Sequence, residues 1–518
     1  MKKKSETILF GLCSILTGLL CAFSFPNIIQ KELDVYTSFF IWFAYIPLIF
    51  VLFKNTNTKQ VFFFSFCAGL VFYLTGIYWF VLIPPLKFFA VPAWIAFSAF
   101  MALYMAAGFT LSKFLNRKFN LSYLFSLPIL CTIFEFIREW LFSGNSLLTP
   151  AQSQFKFLFL LQLLKFTGVY GIVFIVISVN ILPVMLVYRK TIKILKRENI
   201  IWLTLFCFLI ILTIAANFNK EGTKAVNVGV LQPNVDMTRK WDREFREELL
   251  GIMKTQVEEV KREKPILIVW PESGFPGILQ NMPGLVKQIA DWTADTGTYH
   301  IIQSDELEQV NGSRNVYNTA FLISPSGSIT GKYRKYHLVP FGEYIPFQSV
   351  LKFLAPLVGR HGFVSAKPGK EIVPLHLENF TIGVVICYDG IFPEISREFC
   401  RKGAAFLVQL SYERWYGNSS ASAHILTNTL LRAVENNVYL VRSVEAGISA
   451  IISPTGKIIK NTGLYKRASL AGTVHLKEPG AITFYTRFGD VFIYGIAGIL
   501  LMVILLMGWK KVRQRQTE

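Results

Sequence analysis

The sequence predicts a membrane-embedded bundle of eight α-helical spans joined to an α/β domain with a layered architecture. Eight apolar runs of about 18 residues or more are each long enough to cross roughly 30 Å of hydrocarbon. Basic residues are concentrated in alternate loops between these runs, which is typical of membrane topology. A stretch of about 270 residues between the seventh and eighth runs alternates strand-like with helical patterns instead.

The composition supports the membrane assignment. Of the 518 residues, 53% are hydrophobic and 15% aromatic, and the mean hydropathy is +0.43, which is high for a soluble protein. Three lysines precede the first run, as in a signal peptide, but no small-residue cleavage site follows it, so we interpret it as a retained span. The predicted spans are 8–25, 35–53, 61–83, 89–111, 123–142, 163–188, 200–218 and 491–509.

Lysine and arginine residues predict the orientation of these spans. With the N-terminus in the cytoplasm, the inner segments hold seventeen of them and the short outer loops hold only Lys31, Lys87 and Lys156. Because basic loops remain inside, both termini are predicted in the cytoplasm and the long insert in the periplasm or its equivalent. Residues 1–218 and 490–518 carry +14 of the net charge of +20, which argues against a nucleic-acid-binding surface on the insert.

These patterns divide the chain into a membrane domain of seven helices (1–218), a soluble domain (219–489), and an eighth span with a basic tail (490–518). Ser-Pro-Ser-Gly and Ser-Pro-Thr-Gly indicate turns between paired strands at 324–327 and 453–456. Strands are predicted at 226–231, 266–270, 300–303, 320–324, 381–386, 405–410, 438–442 and 449–453. Helices are predicted at 243–263, 284–296, 393–402 and 422–436.

The fifth predicted span contains the charged residues Glu135, Arg138 and Glu139. Charges within hydrocarbon are costly and are usually functional. A cluster whose members satisfy one another near the outer interface would account for them equally well, so the sequence leaves both interpretations open.

Cys387 ends a β-branched apolar run and is followed directly by Tyr388, Asp389 and a glycine. Strand ends in α/β folds display reactive groups, so this position predicts a nucleophilic thiol. Five of the seven cysteines lie in predicted spans, and Cys400 is the other one in the insert. A buried structural cysteine, or a Cys387–Cys400 disulfide, would also account for the position.

Two further segments carry candidate catalytic groups. Glu272 follows a strand, a tryptophan and a proline, where partial burial would raise its pKa as a general base requires; a loop or helix-capping glutamate is the alternative. Lys335 can supply positive charge to an oxyanion, with Glu343 orienting it, although a solvated basic turn is also compatible with the segment. A base, a cation and a thiol together are the constellation for acyl transfer through a thioester.

These segments resemble the nitrilase superfamily, and the layout of nearly the whole chain is similar to its apolipoprotein N-acyltransferase family. The most specific match is the lysine segment at 333–343, YRKYHLVPFGE. The sequence LQPN at 231–234, followed by Lys240 and Trp241, resembles the entry segment of the family. The resemblance implies an αββα sandwich for the insert, with Glu272, Lys335 and Cys387 as the catalytic triad.

The resemblance also implies a two-step reaction. Cys387, activated by Glu272, would take an acyl chain from a phospholipid, commonly phosphatidylethanolamine, while Lys335 and the backbone N–H of Tyr388 hold the oxyanion. The resulting thioester would acylate the N-terminal diacylglyceryl-cysteine of an apolipoprotein, which is the last step of lipoprotein maturation.

Further expectations follow from the same resemblance. The protein would be a monomeric, multi-pass protein of the bacterial inner membrane with its catalytic domain on the periplasmic side. Its partners would be the phospholipid, the apolipoproteins and the membrane, with no nucleic acid and no cofactor. The six histidines show no metal-ligand spacing. Supporting residues would be Glu343, Tyr388 and Asp389, and substrate-binding residues would be Trp241 and Trp415.

The chain departs from the family pattern beside the predicted nucleophile. Asp389 stands where the family has a longer glutamate, and Tyr412 and Glu413 replace an Asn-Asp pair. These differences keep two alternatives open. One is a membrane-tethered, nitrilase-like amidase or hydrolase that uses water as acceptor. The other is a divergent, non-catalytic paralogue that binds lipid or lipoprotein.

Overall fold

The computed structural model describes residues 2–34, 36–54, 56–84, 89–188, 196–217, 222, 224–235, 242–310, 312–345 and 366–517. The chain forms two compact units. The first unit comprises Met1–Val81, Phe89–Phe218 and Phe488–Glu518, and the second comprises Leu82–Phe88 and Asn219–Arg487.

The first unit is helical. Its described helices are Lys2–Phe23, Ile46–Phe53, Thr58–Gly76, Ala90–Phe119, Tyr123–Trp140, Leu158–Leu161, Leu164–Thr167, Tyr170–Val187, Arg197–Ala216 and Val491–Thr517. Six segments among the described residues are long and apolar enough to cross a membrane. These are Lys4–Phe23, Thr58–Gly76, Ala90–Phe119, Tyr170–Val187, Arg197–Ala216 and Val491–Gln514. The unit is therefore a membrane helical region.

The second predicted span, 35–53, is not one continuous helix. The structure has a short 3₁₀ segment at Ser38–Trp42 and a separate helix at Ile46–Phe53. Pro47 lies in the first turn of that helix, a position that tolerates a residue without a backbone N–H. Each piece is shorter than the roughly 20 residues that a single crossing helix needs.

The fifth predicted span forms the helix Tyr123–Trp140, and two of its charged residues, Glu135 and Arg138, form an ion pair. The buried Arg138 donates to Glu135 over 2.6 Å. Arg138 also donates to the carbonyls of Asn145 and Leu147, both at 2.8 Å. These contacts favour the interpretation of a mutually satisfied cluster, because the ionic groups find partners without solvent.

Small residues set the closest approaches between the apolar helices. A Cβ on Gly69 would lie 2.9 Å from the Cα of Ala102 on the neighbouring helix. A Cβ on Gly18 would lie 2.6 Å from the carbonyl oxygen of Ala68. Helices in lipid associate through such close packing, because the lipid tails are as apolar as the helices and the hydrophobic effect does not drive helices together.

The second unit contains twelve described strands. They are β1 Ala225–Gln232, β2 Leu267–Val269, β3 Tyr299–Val310, β4 Ser313–Ile323, β5 Ile329–Arg334, β6 Leu375–Leu377, β7 Phe380–Ile386, β8 Ala404–Ser411, β9 Tyr439–Val444, β10 Ala450–Ile452, β11 Ile458–Asn461 and β12 Ala468–His475. The strands form two six-stranded sheets, one in the order β12-β1-β2-β3-β4-β5 and the other β11-β10-β9-β8-β7-β6. The described α-helices that lie within this unit are Arg243–Lys261, Pro283–Asp291, Pro393–Arg401 and Ala421–Asn436, and a short helix, Phe484–Phe488, begins near its end.

Each sheet has a parallel centre. β1, β2 and β3 run parallel, as do β7, β8 and β9, and a helix connects each successive pair. The sheets contact each other, since the Ser443 hydroxyl on β9 donates to the Leu231 carbonyl on β1 over 2.8 Å. Helices pack on both sheets, so the unit is an αββα sandwich of the nitrilase type, as the resemblance implied.

The hydrophobic core between the first sheet and its helix follows helical spacing. Leu249, Met253, Val257 and Val260 lie on one face of Arg243–Lys261 and are at most 2% exposed. Burying each of these side chains contributes about 1.5–3 kcal/mol, which anchors the helix against the strands. β1 and β2 are thereby held in place, and Glu272 follows β2 after Trp270 and Pro271.

All eight strands predicted in the insert are present, with shifted ends, and the two predicted turns link β4 to β5 and β10 to β11. Gly327 and Gly456 supply the positive φ angles of these turns, +85° and +88°. β5, β6, β11 and β12 were not predicted. They are short or rich in small and polar residues, so their local patterns are weak.

Candidate active site

The structure brings together Glu272, Lys335 and Cys387, the three residues predicted as a triad. Each follows a strand: Glu272 comes after β2, Lys335 directly after β5 and Cys387 directly after β7. The Glu272 carboxylate and the Lys335 ammonium group are both close enough to the Cys387 thiol to shift its pKa in opposite directions. The two sheets thus place a base, a cation and a thiol side by side.

Cys387 lies at a sharp turn between strand and helix. Its φ angle is +50°, in the left-handed region that a non-glycine residue adopts at a cost of about 1–2 kcal/mol. The following turn, Cys387–Ile391, leads into the helix Pro393–Arg401. Burial raises the pKa of the thiol, and the nearby carboxylate of Glu272 raises it further. Both effects favour the neutral thiol over the thiolate.

Glu272 is 7% exposed, and each of its carboxylate oxygens accepts one hydrogen bond from the fold. Oε1 accepts from Asn318 Nδ2 and Oε2 from the backbone N–H of Tyr412, both at 2.9 Å. Burial raises the pKa of Glu272, while the charge of Lys335 opposes that rise. A carboxylate whose pKa is raised binds a proton more readily, which suits it to accept one from the thiol.

Lys335 is 1% exposed and is held by Glu343. Its Nζ donates to Oε1 of Glu343 at 2.9 Å and lies 2.9 Å from Oε2. Burial alone would lower the pKa of Lys335, but the carboxylates of Glu343 and Glu272 outweigh it and raise that pKa. Glu343 is itself oriented by the backbone N–H of Val339 at 2.8 Å and by Asn318 at 3.1 Å. The site therefore contains a fixed, permanently charged ammonium group.

Asp389 connects the cysteine turn to the lysine segment. It is fully buried, and it accepts from the Tyr333 hydroxyl over 2.8 Å and from the His337 backbone N–H over 2.7 Å. The shorter carboxylate therefore does reach the lysine segment. Burial raises the pKa of Asp389 to about 6. Its contacts position the segment on each side of Lys335.

The Tyr412-Glu413 pair, which departs from the family pattern, also takes part in the site. The backbone of Tyr412 binds Glu272, and its ring lies 5.4 Å from that of Trp415 at an angle of 71°. Glu413 is buried and pairs with Arg442. In the structure, Glu413 thus contributes a buried ion pair near the cysteine turn.

The remaining predicted residues occupy different environments. Trp415 is 41% exposed, so its indole is available at the surface of the site. The Tyr388 ring packs edge-on against Phe392, with the ring centroids 4.9 Å apart. Trp241 lies outside the described residues.

Asn318, Gln409 and Arg442 also belong to the site, although sequence reasoning did not identify them. Asn318 joins Glu272 to Glu343, and Gln409 with Arg442 supports the cysteine turn. The available signal was a polar side chain inside an apolar strand. Such a residue needs a buried hydrogen-bond partner, which its sequence neighbours do not reveal.

Cys387 and Cys400 are both free thiols, so the structure does not contain the disulfide considered as an alternative. Within the described part of the chain, no group of histidine, cysteine and acidic side chains is arranged to hold a metal ion. His300 accepts from the Trp270 indole over 3.1 Å and contacts Thr293 at 2.8 Å. Burial lowers the pKa of His300 to about 3, so it serves as a neutral structural residue.

Comparison with known proteins covers both units. Residues 17–182 match the family model described as apolipoprotein N-acyltransferase N-terminal domain, and residues 227–481 match that described as carbon-nitrogen hydrolase. The chain is 32% identical to apolipoprotein N-acyltransferase from Geobacter metallireducens, over 97% of this chain and 96% of that protein. The identity is 28% for the Rickettsia prowazekii protein of that name, covering 90% and 93%, and 27% for that of Pasteurella multocida, covering 97% and 96%.

These relatives extend over nearly the whole chain. One family model covers most of the helical region that precedes the αββα unit, and the other covers most of that unit. The chain therefore belongs to the apolipoprotein N-acyltransferase family.

Proposed function

We propose that this chain transfers an acyl group from a membrane phospholipid to the N-terminal diacylglyceryl-cysteine of an apolipoprotein. The observation that carries the proposal is the buried grouping of the Glu272 carboxylate, the Lys335 ammonium and the Cys387 thiol. This grouping suits acyl transfer through a thioester. The membrane helices suit two substrates whose acyl chains remain in lipid.

The first step forms the thioester. Glu272 takes the thiol proton as Sγ of Cys387 attacks the sn-1 ester carbonyl of the phospholipid. The ammonium group of Lys335 and the backbone N–H of Tyr388 bind the developing oxyanion, where each donor of this kind contributes on the order of 10²–10³ in rate. The tetrahedral intermediate collapses, the sn-1 oxygen leaves with the proton from Glu272, and a lysophospholipid departs.

The second step forms the amide. The neutral α-amine of the diacylglyceryl-cysteine attacks the thioester carbonyl and loses a proton to Glu272. The same two donors hold the second oxyanion. Collapse breaks the C–S bond, and the leaving sulfur recovers the proton from Glu272, so the resting thiol and carboxylate are restored.

We also propose where the chain is located and which phospholipid donates the acyl group. The chain is a monomeric protein of the bacterial inner membrane that crosses it eight times, with the 219–489 domain on the periplasmic side. Its acyl donor is phosphatidylethanolamine. Glu343 and Asp389 support the triad from within the protein, whereas Trp415 and Trp241 contact the substrates.

A labelling experiment tests the acyl-enzyme. The full chain in detergent micelles with phosphatidylethanolamine should gain the mass of one fatty acyl group, located on Cys387 by peptide mass spectrometry. Cys387→Ser and Glu272→Gln should not gain a thioester. Cys400→Ser, which alters a buried cysteine elsewhere in the unit, should be acylated like the wild type.

The fate of the adduct separates the alternatives. A diacylglyceryl lipopeptide should discharge the wild-type adduct and appear as the N-acylated peptide. Discharge by water alone would instead indicate a hydrolase. A wild-type protein that binds the lipid without forming any adduct would indicate a non-catalytic paralogue.

A further inference from the structure

The carbonyl oxygen of Cys387 is held from behind by a chain of buried side chains. Gln409 Nε2 donates to this oxygen over 3.3 Å, and Gln409 Oε1 accepts from Arg442 Nη1 over 2.5 Å. Arg442 pairs with Glu413 through its other terminal nitrogen. Gln409 and Arg442 are wholly buried, and Glu413 is 3% exposed.

The direction of the Gln409 amide is set by chemistry. A guanidinium group only donates hydrogen bonds, so the oxygen of the amide must face Arg442 and its NH₂ must face Cys387. Arg442 is held in turn by its contact with Glu413, and its Nε donates to the Ile448 carbonyl over 3.1 Å. Reversing the amide would place its NH₂ group against the Arg442 donor and its oxygen against the Cys387 carbonyl oxygen, so both hydrogen bonds would be lost.

Glu413 is also tightly held. Its carboxylate accepts from the Ser411 hydroxyl over 2.9 Å and from the Ser422 hydroxyl over 2.5 Å. A Cβ on Gly447 would lie 2.3 Å from Glu413 Oε2, so the backbone at Gly447 packs directly against this carboxylate. These contacts hold the ion pair in place, so that Arg442 can support the Gln409 amide.

The held carbonyl belongs to the peptide that also carries the N–H of Tyr388. A trans peptide is planar, so its C=O and N–H point in opposite directions, and a partner that fixes one fixes the other. The φ angle of +50° at Cys387 disfavours this peptide orientation without outside support. Gln409 supplies that support on the side away from the N–H.

We infer that Gln409, Arg442 and Glu413 are positioning residues that aim the Tyr388 N–H at the oxyanion. The inference rests on the proposed function and deepens it, because none of the three is assigned contact with the substrate. Their effect should appear only in reactions that develop an oxyanion.

Two reactions of Cys387 distinguish positioning of the Tyr388 N–H from general support of the fold around the cysteine. Acylation by p-nitrophenyl butyrate develops an oxyanion, whereas alkylation by iodoacetamide displaces iodide and develops none. Gln409→Met keeps the side-chain length and removes the amide without adding charge. We expect its acylation rate at saturating ester to fall about 10- to 100-fold, less than the loss of an oxyanion donor itself, with KM unchanged. Its alkylation rate should match that of the wild type.

Gln256 offers a matched control. This glutamine is 3% exposed in the same unit, and its Nε2 donates to the carbonyls of Gln232 and Ala468, both at 2.8 Å. Gln256→Met loses the same kind of buried amide-to-carbonyl bond, so its loss of thermal stability should resemble that of Gln409→Met. Both of its reaction rates should remain those of the wild type.

Several results would overturn the inference. Gln409→Met could acylate as fast as the wild type, or its acylation and alkylation could fall together, as a merely structural role requires. A wild type acylated by the aryl ester but not by phospholipid would refute the proposed donor, while the ester still tests the positioning. A wild-type thiol that is alkylated but never acylated would refute both.

Discussion

At the scale of single residues, a few hydrogen-bond donors stabilise the carboxylates of Glu272 and Glu343. Glu272 accepts one hydrogen bond from Asn318 and one from the backbone N–H of Tyr412. The ammonium group of Lys335 lies within 2.9 Å of both carboxylate oxygens of Glu343. Asn318 touches both carboxylates through one Nδ2. Gln303 Nε2 donates to the Asn318 oxygen over 2.9 Å, which fixes the direction of that amide. A small number of neutral amides therefore controls how readily the base holds its proton.

Asn318→Ala should make the pH dependence of acylation more sensitive to acid. The Asn318 hydrogen bond favours the ionised form of Glu272 and lowers its pKa, in opposition to burial. Without that bond the pKa rises further above its ordinary value. Because the base acts only when deprotonated, the acid limb of the Cys387 acylation rate should move to higher pH. Single-turnover acylation measured across pH gives the shift.

The control for this prediction is Asn315→Ala on the same strand. Residues 315 and 318 lie three positions apart on β4, so their side chains leave opposite faces of the sheet. Its acid limb should coincide with that of the wild type. Overlapping profiles for all three proteins would contradict the role given to Asn318.

At the scale of elements, the strand that delivers Cys387 depends on a close contact with one helix. A Cβ on Gly383 of β7 would lie 2.6 Å from Cβ of Phe399 on Pro393–Arg401, and 2.7 Å from Cδ2 of Leu407 on β8. Only a glycine lets the helix pack this closely on the strand. The position of the cysteine turn follows from this packing, since the turn joins β7 to that helix.

Gly383→Ala and Gly251→Ala should have effects of opposite sign. The first forces the helix away from β7, so it should lower the free energy of unfolding by about 1–3 kcal/mol and slow acylation of Cys387. The second adds a methyl group to the interior of Arg243–Lys261, where nothing lies within 4 Å. It should raise that free energy by about 0.4–1 kcal/mol, because alanine favours a helix.

Chemical denaturation in detergent, followed by tryptophan fluorescence to which the buried Trp270 contributes, measures both changes. The two variants carry the same chemical change, so each serves as the reference for the other. Equal shifts in the same direction would show that the close approach at Gly383 does not limit stability.

At the scale of the whole molecule, the number of membrane crossings determines the side on which each loop lies. Six described helices are long and apolar enough to cross, and the runs 35–53 and 123–142 decide whether the number is eight. If both of them cross, Asn120 lies in the cytoplasm, while Asn145 and Asn217 lie on the periplasmic side. If 35–53 does not cross, the side of Asn120 reverses.

Reporter fusions should therefore give a specific pattern. Green fluorescent protein fused after Asn120 should fluoresce, because it matures in the cytoplasm. Alkaline phosphatase fused after Asn145 or Asn217 should be active, because it requires the periplasm. Active phosphatase after Asn120 would show that 35–53 does not cross, and inactive phosphatase after Asn217 would refute the proposed location of the catalytic unit.

Features that depend on residues close together in the chain could be predicted from the amino-acid pattern. The hydropathy of a membrane helix and the continuous apolar run of a buried strand are local properties, so the membrane region and the parallel strands could be predicted. The choice of Glu272, Lys335 and Cys387 followed from strand ends and from the resemblance to a known family. Their grouping in space is seen in the structure.

Features that depend on partners far apart in the chain become visible once the protein is folded. β12 pairs with β1 across more than 200 residues, so its own small and polar residues gave no sign of a strand. Asn318 and the ion pair of Arg442 with Glu413 were missed for the same reason. A buried polar side chain is defined by the group it meets, and that group is fixed by how the sheets and helices pack.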